Sequence, residues 1–427
     1  MRYKLPTLAL LGFSAFFLAG CTISDLPVIG GFFKKAPQPV TLTYWGLWEP
    51  APVMQALIDK YQEQNPHIAI NYEDRSVMDL ATYKDRIFER AQQGSGPDIV
   101  RVHNSWMPKL KSVLAPMPDK LMPVGDFNNK FYPIVSKDAI YSGNIYALPL
   151  YYDGLVLVYN KDHFDEIGQT GAPTAWEEFR RLALELTIRA GDPGNELVVR
   201  GGAAMGAANN IDHFSDILGL MWSQAGVKIP QDLNTKAAQD ALTFYLNFLR
   251  EDKVWSADLP EAKTAFAKGQ VSMIFVPSWG LLDVIQAAPK VNIGVAPVPQ
   301  ALLDSPVSWG SYWMEAVLAN SPAKDEAWKF LTFLAQEEQQ RMLFSEASKT
   351  RTFGAPYSLV SLGSDLADNN YLSAVVRSAP YAAGGELAAR SGNKNQVDAL
   401  KDAVAKILSK DLTVGEALLQ VQKVLSQ

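Results

Sequence analysis

The stretch TLTYWGLWEPAPVMQALIDKYQEQNPHIAINY, residues 41–72, decides the fold class. Thr41 to Trp45 has strand composition. Pro52 to Gln64 then places Val53, Leu57 and Tyr61 on one helical face, Asn65-Pro66 stops the helix, and Ile68 to Tyr72 alternates as a second strand. That is a β-α-β unit. Asp79 to Gln92 repeats the pattern with Leu80, Tyr83, Ile87 and Ala91 on one face, Gly94 and Gly96 end it, and Ile99 to Val102 reads as a short strand. Alternation of this kind favours an α/β sheet with helices on both faces.

Working outward, Tyr151 to Tyr159, Val271 to Val276 and Val291 to Ala296 are strand candidates, and Trp176 to Arg189 and Thr235 to Glu251 are helix candidates. Ser321-Pro322 is expected to cap one long helix running through Arg341, with Asp325 and Glu326 in its first turn. Thr413 and Glu416 have the spacing of a capping box ahead of Ala417, Leu418, Val421 and Leu425. Gly201-Gly202 to Gly206 reads as a small, flexible loop, without the spacing of a phosphate-binding motif.

The chain has 427 residues, of which 48% are apolar and 11% aromatic. At roughly 150 residues per domain that is room for two or three cores, and it excludes a disordered or fibrous protein. With 39 basic and 45 acidic residues the net charge is −6, and no long run of either sign appears, so nucleic acid is not an expected partner. One cysteine forbids an internal disulfide, and His67, His103, His163 and His213 are scattered, so neither a metal nor another cofactor is called for.

Arg2 and Lys4 precede an apolar stretch to Gly20, the layout of a secretory signal peptide over residues 1–20. That stretch is shorter than the roughly 20 apolar residues of a membrane-spanning helix. Leu18-Ala19-Gly20-Cys21 resembles a bacterial lipobox, which makes Cys21 the lipidation site; the alternative is a buried cysteine near an ordinary cleavage site. Residues 21–39, with Pro27, Gly30, Gly31, Pro37 and Pro39, suit a lipidated tether. Phe32 and Phe33 could dip into the bilayer or pack on the domain.

Catalytic patterns are weak. No G-x-S-x-G elbow, P-loop or G-x-G-x-x-G is present, and candidate acids for a glycosidase's carboxylate pair, such as Asp153 or Glu315, have no specificity among 45 acids. Aromatic residues beside polar ones at probable strand ends stand out instead: Trp45 to Glu49, His103 to Trp106, Tyr151 to Asp153, Pro277 to Trp279, and Ser308 to Trp313. A pyranose offers an apolar face that stacks on a ring and a rim of hydroxyls that needs planar polar partners, and open sheets bind ligands at the carboxyl ends of their strands. Each tryptophan in these stretches could equally be a core anchor. Trp176, Trp255 and Trp328, which lack such polar companions, read as core.

Gly96-Pro97-Asp98-Ile99-Val100, Ala147 to Gly154, Val158 to Phe164 and Ala172 to Phe179, followed by Phe266 to Met273, Pro277 to Gly280 and Asp325 to Leu331, resemble in order the signature of the extracellular solute-binding proteins of family 1, the maltose-binding-type receptors of sugar ABC importers. The series covers essentially all of the chain beyond the tether. The resemblance implies a two-lobed, periplasmic-binding-protein-like α/β fold of type II, with a hinge between discontinuous lobes: 40–149 plus 307–352, and 150–306 plus 353–427. It implies no enzyme but a monomeric lipoprotein on the cell envelope that captures a carbohydrate by closure and hands it to ABC permease subunits.

Carried over residue by residue, the resemblance points to Trp45, Trp48, Glu49, Asn104, Trp106, Tyr152, Asp153, Trp222, Ser278, Trp279, Tyr312, Trp313 and Arg351 as the ligand site. Trp279 and Trp45 are expected to stack on the ligand, with Glu49, Asn104 and Asp153 as hydroxyl partners. Asp98 and Asn160 are expected to be structural. Peptides, polyamines and phosphate esters stand as other ligand classes: Glu49 with Asp153 would suit a cation, and Arg101, Arg351 or Arg377 an anion. An anchored glycoside-acting enzyme and a structural or signalling lipoprotein are the remaining readings.

Overall fold

The structure, a computed structural model, describes residues 38–426. The signal peptide, Cys21, Phe32 and Phe33 therefore lie outside the described residues, as does nearly all of the tether. Within 38–426, two sheets with their own helices form two lobes. In the first sheet the strand Val40–Gly46 is central, parallel to Ile68–Asp74 on one side and to Ile99–His103 on the other, with Leu42 opposite Ile70 and Tyr44 opposite Ile99. Trp313–Val317 closes the edge antiparallel to Ile99–His103, so a residue from far down the chain completes a sheet begun at its start. In the second sheet Leu155–Asn160 is flanked antiparallel by Ile293–Ala296 and Met273–Pro277, with Val158 opposite both Val295 and Ile274.

Several helices form where the apolar spacing and caps put them. Ala51–Gln64 buries Val53, Leu57 and Tyr61 and stops at Asn65. Leu80–Gln92 is capped by Asp79, whose side chain accepts from Thr82 N at 3.0 Å. At the last helix, Val414–Leu425, both halves of the Thr413–Glu416 capping box are present. Asn160 and Asp98 do structural work: Asn160 accepts from Asp162 N at 3.0 Å to cap Lys161–Glu166, and Asp98 accepts from Thr43 N at 2.8 Å.

Three expectations change. The single helix from Ser321 to Arg341 is two, Lys324–Leu334 and Glu337–Ser348, because Gln336 is extended and Glu337 and Glu338 give the second helix its own acidic first turn. Ser321 does not cap it by the helix rule; its hydroxyl donates to Asp98 Oδ1 at 2.5 Å. The helix from Trp176 ends at Leu186, where Thr187 Oγ1 bonds Ala183 O at 2.6 Å and Ile188–Ala190 turns into a hairpin with Leu197–Arg200. The loop after that hairpin is buried, not flexible. A Cβ on Gly202 would lie 1.8 Å from Ala183 O, so only glycine lets the two backbones meet there.

The core is dense with rings. Tyr61 packs on Phe330 and Phe333 at 5.0 and 5.1 Å in the first lobe. Phe275 lies 5.8 Å from Trp176 and 5.4 Å from Phe179 in the second. Each fully buried side chain of this size is worth roughly 1.5–3 kcal/mol. Trp176, Trp255 and Trp328 are all buried.

Three stretches of chain join the sheets. Leu148 exchanges both backbone bonds with Glu315 at 2.9 and 2.7 Å, after which Gly154 bridges Gly310 and the chain enters the second sheet. The return path through Ser308–Trp309 reaches Trp313, and the third stretch bridges Tyr357 to Tyr151. The carboxyl ends of the strands Val40–Gly46, Ile99–His103 and Met273–Pro277 therefore face the region these crossings span.

Candidate functional site: a cavity between the lobes

The loop leaving Val40–Gly46 builds one wall. Arg101 Nη1 donates to Leu47 O, Tyr72 OH donates to Glu49 O at 2.9 Å, and Trp48 N donates to Ser76 Oγ at 2.6 Å. These contacts hold Trp48 at φ +67°, a left-handed conformation that costs a non-glycine residue roughly 1–2 kcal/mol. Strain of this kind persists only where surrounding contacts over-determine it. Its result is a tryptophan 43% exposed, its ring set edge-on to Trp313 at 6.3 Å.

Next to it, Glu49 is only 1% exposed. Its Oε1 accepts from Arg351 Nη2 at 3.0 Å, and its Oε2 has no partner. A buried acceptor left bare costs about 1–3 kcal/mol. A donor arriving from a ligand would recover that.

The first crossing supplies Tyr151 and Asp153. Tyr151 OH accepts from Arg101 Nη1 at 2.9 Å. Asp153 is buried, and Ser278 Oγ donates to its Oδ1 at 2.7 Å. Burial pushes the Asp153 carboxyl up to about 6, against the pull of the Ser278 hydroxyl and Arg351. The second crossing supplies Ser311 and Trp313. Ser311 Oγ meets His103 Nε2 at 3.1 Å, and Ser105 Oγ meets His103 Nδ1 at 2.7 Å. Burial, with the Lys84 ammonium nearby, pushes the His103 imidazole down to about 3, so it is a neutral hydrogen-bonding ring near pH 7.

From the second lobe, Met273–Pro277 ends at Ser278 and Trp279, and the first turn of the helix Gly280–Ala287 adds Leu282 and Asp283. The Trp279 ring lies 5.7 Å from His213, edge-on. Phe353 to Pro356 of the third crossing, with Ala389 and Arg390 from near the C-terminus, complete a cavity of about 400 Å³. Among the described residues no group of three or more His, Cys, Asp or Glu side chains could hold a metal ion.

The structure brings Trp48, Glu49, Asp153, Trp279, Trp313 and Arg351 together on this cavity. Ser278 sits directly behind, holding Asp153. The other expected ligand residues are elsewhere. Trp45 is half-buried under the Arg75 guanidinium at 4.6 Å. Asn104 Nδ2 donates to Asp138 Oδ2 at 2.9 Å, and Tyr312 OH donates to the same oxygen at 2.8 Å. Tyr152 packs between Tyr132 and Tyr312. Trp106 Nε1 donates to Ser391 O at 2.7 Å, and Trp222 Nε1 donates to Ala238 O at 3.0 Å, both rings being fully buried. Arg101 is spent on Glu315 at 2.6 Å inside the first lobe, and Arg377 faces a separate surface groove.

What the sequence left unread is partly a matter of phase. Along the extended crossings side chains alternate, so Tyr151 and Asp153 face the cavity while Tyr152 faces away, and Ser311 and Trp313 face it while Tyr312 does not. Period-two counting from Asp153 and Trp313 would have picked Tyr151 and Ser311. His103 lies in a stretch already singled out, whereas Leu282, Asp283, Phe353, Ala389 and Arg390 carry no comparable local signal.

The family model described as bacterial extracellular solute-binding protein matches residues 47–341. A binding protein of Brucella abortus is 23% identical over 297 residues, covering 67% of this chain and 69% of that one. The maltotriose-binding protein of Pyrococcus abyssi is 24% identical over 292 residues, 65% of this chain and 58% of that one. Among solved structures, a cyclo/maltodextrin-binding protein complexed with maltotetraose superposes with a TM-score of 0.72 at 17% identity, covering 92% of this chain and 98% of that one. The match of fold, order and family model over more than half of its length places this chain in the bacterial extracellular solute-binding protein family.

Proposed function

We propose that the protein captures a saccharide in the interlobe cavity and delivers it, unaltered, to the permease of an ABC importer. The observation that carries this reading is the wall itself. Trp48, Trp279 and Trp313 offer ring surfaces around two buried carboxylates, and one oxygen of Glu49 has no protein partner. A sugar supplies both an apolar face and hydroxyl donors. The relatives named above that bind maltotriose and maltotetraose support the same class.

In this reading Glu49, Asp153 and Arg351 hold hydroxyls, and Trp48, Trp279 and Trp313 stack, with Ser278 orienting Asp153. The lobes are 40–149 plus 307–352 and 150–306 plus 353–427. The packing of Lys324–Leu334 and Glu337–Ser348 on Ala51–Gln64 supports that division, as does the packing of Val414–Leu425 on Lys236–Arg250. Closure is driven by contacts the ligand makes with both lobes at once, since only differential affinity shifts such an equilibrium. Cleavage before Cys21 and its lipidation would hold the monomer on the envelope, facing outward from the plasma membrane or into a periplasm. No helix among the described residues is long and apolar enough to cross a membrane.

The test is calorimetry and thermal unfolding with mono- and oligosaccharides against short peptides and spermidine. At about 100 times Kd, specific binding adds roughly 2.7 kcal/mol to stability. Recovery of the sugar unchanged separates a receptor from an enzyme; binding of peptides or spermidine alone overturns the saccharide reading.

A further inference from the structure

One wall of the cavity belongs to neither sheet. Residues 386–393 lead into the helix Lys394–Leu408 on the second lobe and touch the first lobe on the way; Ala389 and Arg390 of this strap line the cavity. On the second lobe, Asp216 Oδ1 accepts from Ala389 N at 3.1 Å, an oxygen that also accepts from Trp309 Nε1 at 2.9 Å. Arg390 pairs with Asp212 beside it. On the first lobe, Trp106 Nε1 donates to Ser391 O at 2.7 Å, Lys84 Nζ donates to Gly392 O at 3.2 Å, and Asn393 Nδ2 donates to Ser105 Oγ at 2.8 Å.

The backbone is committed to this path. Arg390 at φ +55° and Gly392 at φ +77° both turn through the left-handed region. A Cβ on Gly392 would lie 3.2 Å from both Leu80 Cβ and Trp106 Cζ2, so the strap lies tight on the first lobe. With the lobes in this arrangement, a segment tied to both by buried hydrogen bonds is a wall, not a loop that a ligand pushes aside. The cavity it bounds is about 400 Å³, near the lower end of the roughly 300–1,000 Å³ typical of small-molecule sites.

We propose that the strap is a chain-length filter: by closing the side of the cleft between Asp212 and Ser105, it admits a saccharide of one or two rings and turns away longer chains. This rests on the saccharide reading above. A cleft open along its length would let further rings run out between the lobes. Here they would meet Ala389 and Arg390.

The experiment titrates the full chain, in mild detergent, with ladders of one to four rings in α-1,4-glucan, β-1,4-glucan and β-1,4-mannan. For the ladder that binds, affinity is expected to fall about tenfold or more from two rings to three. The double variant Trp106→Phe, Asn393→Ala removes two ties to the first lobe and keeps the ring packing; it is expected to narrow that drop to about threefold or less. Arg390→Ala, on a half-exposed side chain, shortens the wall by a second route and is expected to act in the same direction if the double variant does not fold. Equal or tighter binding of three and four rings by the unaltered protein overturns the filter and leaves the saccharide reading standing. An unchanged length preference in the folded variants overturns the strap as its cause. Failure of every ladder to bind removes both.

Discussion

Arg351 Nη2 donates to Glu49 Oε1 at 3.0 Å across 302 residues of sequence, fastening the third crossing to the loop after the first strand. The pair holds one carboxylate oxygen and leaves the other buried without a partner, on a residue that lines the cavity. Glu49→Gln keeps the shape and removes the charge. Hydrogen bonds to charged groups are worth about 1.5–3 kcal/mol, so affinity for the best saccharide is expected to fall roughly 10- to 100-fold by calorimetry. A variant that binds as tightly as the parent would take Glu49 out of the site.

Two tryptophans separate packing from binding. Trp279 is on the cavity wall, whereas Trp222 is fully buried beneath Lys236–Arg250. Trp279→Ala is expected to cost most of the saccharide affinity and little stability. Trp222→Ala is expected to lower unfolding free energy by about 3–5 kcal/mol in urea while the folded fraction binds normally. The reverse pattern would exchange their roles.

The Asp153 carboxyl, raised by burial from its ordinary 3.8 to about 6, makes both stability and binding depend on pH. Because the folded value lies above the unfolded one, the folded state holds an extra proton between these two values. Its contribution to stability is fully present below about pH 4 and is lost as pH rises through 6, an effect of about 3 kcal/mol. Asp138, raised by burial to about 6, acts with the same sign. A ligand hydroxyl donating to Asp153 favours its charged form, so binding is expected to release protons near pH 6 and to tighten about fivefold to tenfold from pH 5 to 7.5. Asp153→Asn should flatten that profile; His103, neutral above about pH 4, should leave it intact.

Arg101 and Glu315 stand opposite each other in adjacent strands and pair at 2.6 Å with both side chains buried. Burial raises the Glu315 carboxyl while Arg101 pulls it down. Arg101→Met leaves that acid without a partner and also frees Leu47 O and Tyr151 OH. A loss of about 3–5 kcal/mol is expected in urea unfolding. Arg101→Met with Glu315→Leu should recover part of it, because a buried pair replaced by apolar groups of similar size is often near neutral.

How far the sequence reaches can be judged residue by residue. The β-α-β reading of 41–72, the helical pattern from Asp79 to Gln92, the Thr413–Glu416 box and the core tryptophans 176, 255 and 328 all depend on spacing within a few residues, and such interactions are local by nature. The stretches that carry the cavity were legible for a related reason: an aromatic beside a polar side chain at a strand end is itself a short-range pattern. Where the signal needed one more residue of phase, as between Tyr151 and Tyr152, composition was silent and only the pleat of the crossing chain separated them.

The α/β class, the helices Ala51–Gln64, Leu80–Gln92, Lys236–Arg250 and Val414–Leu425, and the segments from which a site could be made were thus determined by the sequence on its own. Which side chains share one cavity was decided by tertiary structure. Trp106 and Trp222 have polar neighbours much as Trp279 does, yet they are buried by partners hundreds of residues or one helix away. Glu49 owes its bare oxygen to Arg351, and the strap at 386–393 owes its place to Asp216 on one lobe and Ser105 on the other. Contacts between residues that distant leave no periodicity in the chain, so their geometry exists only once the lobes have packed.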